Sequence, residues 1–79
     1  MKVRLDLVGE LDGELDEALA ERYSLDDGAT LDELVAAMPF AGRVALTSVN
    51  GEMVPPAARA NRVLADGDTV TMLPAVKGG

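Results

Sequence analysis

The sequence contains no cysteine and no histidine, and both absences restrict the chemistry that the chain can perform by itself. Without cysteine it forms no disulfide, no thiolate metal site and no iron–sulfur cluster of the usual kind. It also has no Gly-rich phosphate loop and no pairing of a nucleophile with a base. The aspartates beside Gly28 and Gly67 are typical of turns and do not follow the spacing of a calcium loop. We therefore expect no metal site, no cofactor bound by the chain itself and no catalytic activity.

Basic and aromatic residues are also scarce. Seven Lys and Arg stand against fourteen Asp and Glu, which gives a formal net charge of −7, and the aromatic residues are Tyr23 and Phe40. Nucleic-acid binding needs a basic surface and often stacking aromatics, so nucleic acid is not an expected partner. The acidic charge favours solubility, and steering towards a basic partner is the alternative interpretation.

Long hydrophobic runs are missing as well. The N-terminal residues are too few and too charged to resemble a signal peptide, and no apolar run approaches the length that crosses a membrane. The sequence therefore predicts no membrane association and a cytoplasmic location. At 79 residues and 48% apolar content, it predicts one small folded domain.

The first 25 residues give one clear element and one ambiguous one. Residues 2–8 alternate between polar and apolar side chains, with Val3, Leu5 and Leu7 on one face, which predicts a half-buried strand. Residues 10–25 fit two patterns. An apolar residue at every fourth position from Leu11 favours a helix, whereas Tyr23 and its neighbours also fit one face of a strand.

The clearest helix in the sequence covers residues 30–38. Thr30 is suited to cap its N-terminus, and Glu33 three residues later completes a capping box. Pro39 ends the helix, because the residue before a proline is pushed out of the α region. Apolar residues spaced at i, i+3, i+4 and i+7 form one face: Leu31, Leu34, Val35 and Met38.

The second half of the chain predicts strands. Residues 43–49 are rich in β-forming side chains, and Asn50-Gly51 is a strong signal for a two-residue hairpin turn into residues 52–54. Residues 57–62 form a connection. A turn at Asp66–Asp68 then leads into a final strand, residues 69–73, which Pro74 stops.

The residues after Pro74 lead to a Gly-Gly ending. An α-carboxyl group is an anion at neutral pH and can attack a phosphoryl centre. Glycine has no Cβ, so its backbone fits a narrow channel, and five residues span about 17 Å. We expect a domain at residues 1–74 and a flexible tail at 75–79, in which the Gly79 carboxylate is the reactive group. A frayed, functionless terminus is the plainer alternative.

The order strand, strand, helix, strand, hairpin, strand, Gly-Gly resembles the β-grasp or ubiquitin-like fold. That fold is of the α+β class, and here it would have a mixed sheet of four to five strands packed on one main helix at about 30–38. The chain resembles in particular the MoaD/ThiS group of small sulfur carriers. The segments that carry the resemblance are Asp27–Leu34, Val49–Glu52, Leu64–Val70 and Leu73–Gly79. The resemblance favours a turn or helical piece near 14–18 and a strand near 20–25.

The resemblance implies a mechanism. A partner adenylyltransferase of the ubiquitin-activating type would use ATP to adenylate the Gly79 carboxylate, and sulfur from a persulfide donor would convert it to a thiocarboxylate. The Leu-Pro-x-Val-x-Gly-Gly ending is closer to the small subunit of molybdopterin synthase, whose tail enters a large subunit. The residues that would present the carboxylate are Gly78, Lys77, Val76 and Pro74. The residues expected to line or flank a partner surface are Met72, Met53, Arg59 and Arg62.

Three other functions remain open from the sequence. The chain is also compatible with a thiamine-type sulfur carrier, with a ubiquitin-like modifier conjugated to proteins through Gly79, or with an interaction module whose Gly-Gly ending is incidental. Core packing is the alternative role for Met53 and Met72.

Overall fold

A computed structural model describes residues 1–76 of the protein. The strands and helices are β1 (Lys2–Leu7), α1 (Glu17–Glu21), β2 (Tyr23–Ser24), α2 (Leu31–Ala36), β3 (Val44–Val49), β4 (Glu52–Val54) and β5 (Thr69–Pro74). Short 3₁₀ turns lie at Gly9–Leu11, Ala41–Arg43 and Pro56–Asn61. Among the described residues, no helix combines the length and the apolar character needed to cross a membrane.

The strands form one mixed sheet in the order β2-β1-β5-β3-β4. The last strand, β5, lies at its centre, parallel to β1 and antiparallel to β3. The two outer pairs, β1 with β2 and β3 with β4, are antiparallel. This arrangement confirms the predicted α+β architecture of a five-stranded β-grasp sheet with one main helix.

One face of the sheet packs against α2. All four residues of the predicted apolar face are buried, although Met38 lies just beyond the end of α2. They join the inward-facing residues of the central strands, such as Leu5 and Val70, in one core. Burial of such side chains contributes roughly 1.5–3 kcal/mol each, so this layer supplies much of the stability of so small a domain.

The capping box predicted at the start of α2 is present. Thr30 Oγ1 accepts a hydrogen bond from the Glu33 N–H at 3.2 Å, and Glu33 Oε1 accepts one from the Thr30 N–H at 3.2 Å. Two backbone donors that have no partner within the helix are thereby satisfied. Ala37 is the C-cap, so the helix ends within two residues of the predicted boundary.

The predicted hairpin is also confirmed. Asn50 has a φ of 52° and Gly51 a φ of 85°, and a type I′ turn requires positive φ at both positions. The Asn50 side chain joins this turn to the one before β5. It donates to Asp68 Oδ1 at 2.8 Å and accepts from the Thr69 N–H at 2.8 Å. The hairpin therefore holds the start of the central strand.

Residues 9–25 differ from the prediction. The helical piece lies at Glu17–Glu21 and not near 14–18, because Asp16 caps it by accepting hydrogen bonds from the N–H groups of Ala18 and Leu19. The strand expected near 20–25 is reduced to Tyr23–Ser24. The four-residue apolar spacing therefore does not mark one helix: Leu11 belongs to a separate 3₁₀ turn and is fully buried.

Replacement of Thr30 by alanine tests the capping box. The loss of the side-chain acceptor is expected to lower the free energy of unfolding by about 1 kcal/mol, which for a domain of this size lowers Tm by roughly 4–8 °C. Thermal and urea unfolding measure the change. Thr30→Ser keeps the hydroxyl and should stay close to the wild type; equal losses in both variants would contradict the capping role.

Candidate functional site

The centre of the sheet carries the chain to its C-terminal tail. β5 is hydrogen-bonded to β1 on one side and to β3 on the other, and Val70 and Met72 are fully buried. Its last residue, Pro74, pairs with Val44 of β3. The chain then leaves the sheet, and Val76 is 94% exposed. We call residues 73–76 the tail root: it starts in the most constrained strand and ends in solvent.

A tight turn packs against one side of the tail root. Gly9, two residues after the end of β1, has a φ of 61°, and a Cβ at this position would lie 3.5 Å from Pro74 Cγ. The positive φ favours glycine, because other residues adopt it only with strain. The turn also places the Val8 N–H 3.1 Å from the Met72 carbonyl oxygen, which extends the β1–β5 ladder by one bond.

An ion pair joins the two segments that flank β5 at this end. Arg43 Nη2 donates to Glu14 Oε1 at 2.6 Å, which links the residues before β3 to those after β1. The hydrogen bond that Arg43 donates to Glu14 is the main reason that the pKa of Arg43 is raised above its usual value, with further contributions from the charges of Glu14 and Glu10. Both partners are largely solvent-exposed, so we assign this pair little net stability.

A β-bulge lies opposite the tail root. Val44 pairs with Pro74 and Leu46 pairs with Leu73, so β3 has one more residue than β5 over this step, namely Ala45. The Ala45 carbonyl oxygen accepts a hydrogen bond from Arg59 Nη2 at 3.2 Å. The sequence gives no signal for this bulge.

The sheet face opposite α2 carries an apolar patch beside the tail root. Leu46 is 46% exposed and Met53 is 55% exposed. Leu46 pairs with the partly buried Leu73, and the alternation of side chains along the strands puts all three on this face. We call Leu46, Met53 and Leu73 the outer patch. Met53 was predicted at a partner surface and is available for one, whereas Leu46 was missed.

Arg62 lies near one end of the outer patch. Its guanidinium donates to Glu52 Oε1 at 2.8 Å, and a groove of about 340 Å³ is lined by Arg62 together with Met53 and Pro55. The structure thus brings together two of the four residues that were predicted to line or flank a partner surface.

The prediction of a partner surface is wrong for the other two residues, Met72 and Arg59. Met72 faces the core from the central strand and is 0% exposed, because its position in the alternation of β5 puts it on the α2 side of the sheet. Arg59 is 8% exposed and points inward, where its Nε donates to Thr47 Oγ1 at 3.1 Å. Neither residue lines an exposed surface.

The remaining predicted site residues lie at the very end of the chain. Lys77, Gly78 and Gly79 are outside the described residues, so their roles and the domain boundary after Pro74 stay predictions. What the structure gives is the geometry that leads to them: a central strand, a flanked root and an exposed Val76.

Known proteins are similar to this chain in sequence and in fold. Residues 10–79 match the ThiS family. The fold is similar to the crystal structure of the thiamine biosynthesis protein ThiS from Geobacter metallireducens, with 22% sequence identity, full coverage of both chains and a TM-score of 0.68. It is also similar to SAMP1 from Haloferax volcanii, with 23% identity, full coverage of both chains and a TM-score of 0.66. No curated protein matches the chain.

Alanine substitutions at the two methionines test the assignment of buried and exposed positions. Met72→Ala should lower the free energy of unfolding by about 2–5 kcal/mol, because it opens a cavity in the core. Met53→Ala should change it by less than about 0.5 kcal/mol, because the side chain is already largely in water. Urea unfolding measures both. Similar effects at the two positions would contradict the assignment of Met72 to the core face of the sheet and Met53 to the exposed face.

Proposed function

This chain belongs to the ThiS family of ubiquitin-like sulfur carriers, and we propose that its Gly79 carboxylate is adenylated by a partner enzyme and then converted to a thiocarboxylate. The observation that carries the proposal is the combination of a family match that extends to Gly79 with a tail root that leaves the sheet at its centre and reaches an exposed Val76. A carrier of this kind needs a carboxylate that another protein can reach. It also needs a domain that stays folded when a partner binds the tail.

The proposed chemistry takes place in two steps on a partner enzyme. A Gly79 carboxylate oxygen attacks the α-phosphorus of ATP, and pyrophosphate leaves to give an acyl adenylate. Sulfide, released from a persulfide donor by a thiol that is oxidised together with the donor to a disulfide, then attacks the carbonyl carbon, and AMP leaves. The product is a thiocarboxylate, in which sulfur has replaced one carboxylate oxygen. The partner supplies the catalytic groups, which fits a sequence without histidine or cysteine.

We propose a pterin precursor as the sulfur acceptor, with a large synthase subunit as the second partner. The proline at position 74 and the Leu-Pro-x-Val-x-Gly-Gly ending support this assignment. A thiamine-type acceptor is the second candidate, favoured by the ThiS family match. The two are separated by supplying the thiocarboxylated protein either to a large molybdopterin-synthase subunit with its pterin precursor or to a thiazole synthase, and by measuring which product forms.

We also propose that the activating enzyme docks on the outer patch. Exposed apolar side chains of this size are candidates for contact with a partner, and here they lie beside the strand that carries the tail. Leu46 pairs with Leu73, so a protein bound at Leu46 is adjacent to the tail root. The net charge of −7 further favours a basic partner surface around the apolar contact.

Mass spectrometry tests the proposed reaction. The protein, incubated with its activating enzyme, ATP and a sulfur donor, should gain the mass that corresponds to replacing one oxygen by sulfur. A variant with one extra residue after Gly79 keeps every native residue but blocks the carboxylate, and should show no gain. Deletion of Gly78 and Gly79 should also prevent it.

An unchanged mass of the wild type with an active enzyme would contradict the proposed function. Isopeptide adducts between Gly79 and lysines of other proteins in cell extracts would instead favour a protein modifier.

Substitution at the outer patch tests the docking proposal. Leu46→Glu should raise the KM for the carrier in the adenylation reaction by about tenfold or more, because a loss of at least 1.4 kcal/mol is expected when a carboxylate enters an apolar contact. The Tm should change little, since Leu46 is already half exposed. Val63→Glu is the control, because Val63 is 59% exposed but lies outside the five-stranded sheet. Equal effects of the two substitutions would contradict the assigned surface.

A further inference from the structure

Arg59 is a buried cation without a charged partner. It is 8% exposed, and none of the ion pairs formed among residues 1–76 includes it. Burying a charge is energetically costly unless its environment compensates for it. A protein with well-packed apolar residues in such positions is often equally stable or more stable. Its presence in the interior of a domain with so few basic residues therefore calls for a specific interaction.

The guanidinium binds two acceptors on the same strand. Arg59 Nη2 donates to the Ala45 carbonyl oxygen at 3.2 Å, and Nε donates to Thr47 Oγ1 at 3.1 Å. Thr47 Oγ1 in turn donates to the Val54 carbonyl oxygen at 3.0 Å, which carries the network on to β4. Hydrogen bonds from a charged donor are stronger than those between neutral groups. They compensate for the burial of the charge.

The first of these acceptors is the bulged residue. Between the pairs Val44–Pro74 and Leu46–Leu73, Ala45 is the extra residue of β3. A bulge interrupts the hydrogen bonds of the ladder, so the neighbouring strand holds the backbone of the bulged residue less firmly. Arg59 reaches across from the Pro56–Asn61 turn to satisfy the carbonyl oxygen of this residue.

The bulge determines how β5 ends. If Ala45 were instead paired in a regular ladder, it would lie opposite Pro74 in the place of Val44, since the ladder up to the Leu46–Leu73 pair already keeps one register. A shift of one residue turns side chains to the opposite face of a sheet. Pro74 is therefore the residue of β5 whose pairing depends on the bulge, and it lies in the tail root.

We propose that Arg59 is a positioning residue for the tail: by holding the Ala45 bulge, it fixes the register in which β5 delivers Pro74 and the Gly79 carboxylate to the partner. This inference rests on the proposed function for its reaction, but its structural part does not. The planar guanidinium suits the role because it offers donors in a fixed fork, which an ammonium group or an apolar side chain does not. In this role Arg59 acts through β3, to which both of its hydrogen bonds are made.

The first experiment reads the register directly. Arg59→Met fills a similar volume without donors, and we expect a folded protein that loses the NMR cross-strand contacts between Val44 and Pro74, the pair that lies beyond the bulge. Arg22→Met is the matched control, since it removes the same charge from an exposed site, and it should keep these contacts. Contacts that persist in Arg59→Met would overturn the proposal.

The second experiment reads the reaction. A displaced tail should lower kcat for thiocarboxylate formation by about tenfold or more, since misplacing reacting atoms by about 1 Å costs on the order of a hundredfold. The KM should change less, because the outer patch still binds. Thr30→Ala is the control for general destabilisation, as it lowers stability far from the bulge and should keep the wild-type kcat. An equal loss of kcat in Thr30→Ala and Arg59→Met would overturn the positioning role.

A conservative variant covers the case in which Arg59→Met does not fold. Arg59→Lys keeps the positive charge but not the fork, and we expect it to fold, to lose the Val44–Pro74 contacts and to show a reduced kcat. Native contacts with a native kcat in Arg59→Lys would overturn the proposal. If the wild-type protein itself forms no thiocarboxylate, the proposed function fails, whereas the NMR comparison still decides whether Arg59 holds the register.

Discussion

The pairing of β5 on both of its edges is the constraint on which the rest of this structure depends. The parallel pairing of Arg4 with Thr69 brings together residues from opposite ends of the chain. The helices, turns and hairpin between these residues must fold so that the two strands can meet. The antiparallel pairing with β3 then places the last strand at the centre of the sheet. Because a central strand is the least free to fray, the tail begins from a fixed point, and the chain reaches solvent at Val76.

This constraint fits a protein that is acted upon. A sulfur carrier of the ThiS family supplies a reactive end and a surface to be recognised, while activation is left to partners. The tail root and the outer patch are adjacent because Leu46 and Leu73 are paired across two strands. In the function proposed for this chain, a partner that docked on the outer patch would therefore lie beside the tail root.

The interior of the domain contains one polar network within its apolar packing. Arg59, Thr47 and the Ala45 carbonyl lie where the sheet departs from regular geometry. A buried charge contributes little to net stability, and a role in specifying one register out of several explains its presence better. Part of the interior thus serves the geometry of the tail.

Several features were predictable from the sequence because they depend on residues close together in the chain. The capping box at Thr30 involves residues three apart, the Asn50-Gly51 turn needs two residues with positive φ, and the apolar face of α2 repeats within two turns of helix. The overall β-grasp order could be read from these elements and the family resemblance. Residues 9–25 could not, since their apolar spacing fits more than one structure.

By itself, then, the sequence determined the order of the main elements, the capped start of α2, the turn of the hairpin and the Gly-Gly ending, but not the bounds of the elements within residues 9–25. Only the tertiary structure decided that Met53 faces solvent and Met72 the core, that Arg59 points inward, and that Ala45 forms a bulge beside the tail. The physical reason is the range of the interactions. Caps and turns are made within a few residues, whereas burial and register are set by strands distant in sequence that reach one another only in the folded sheet.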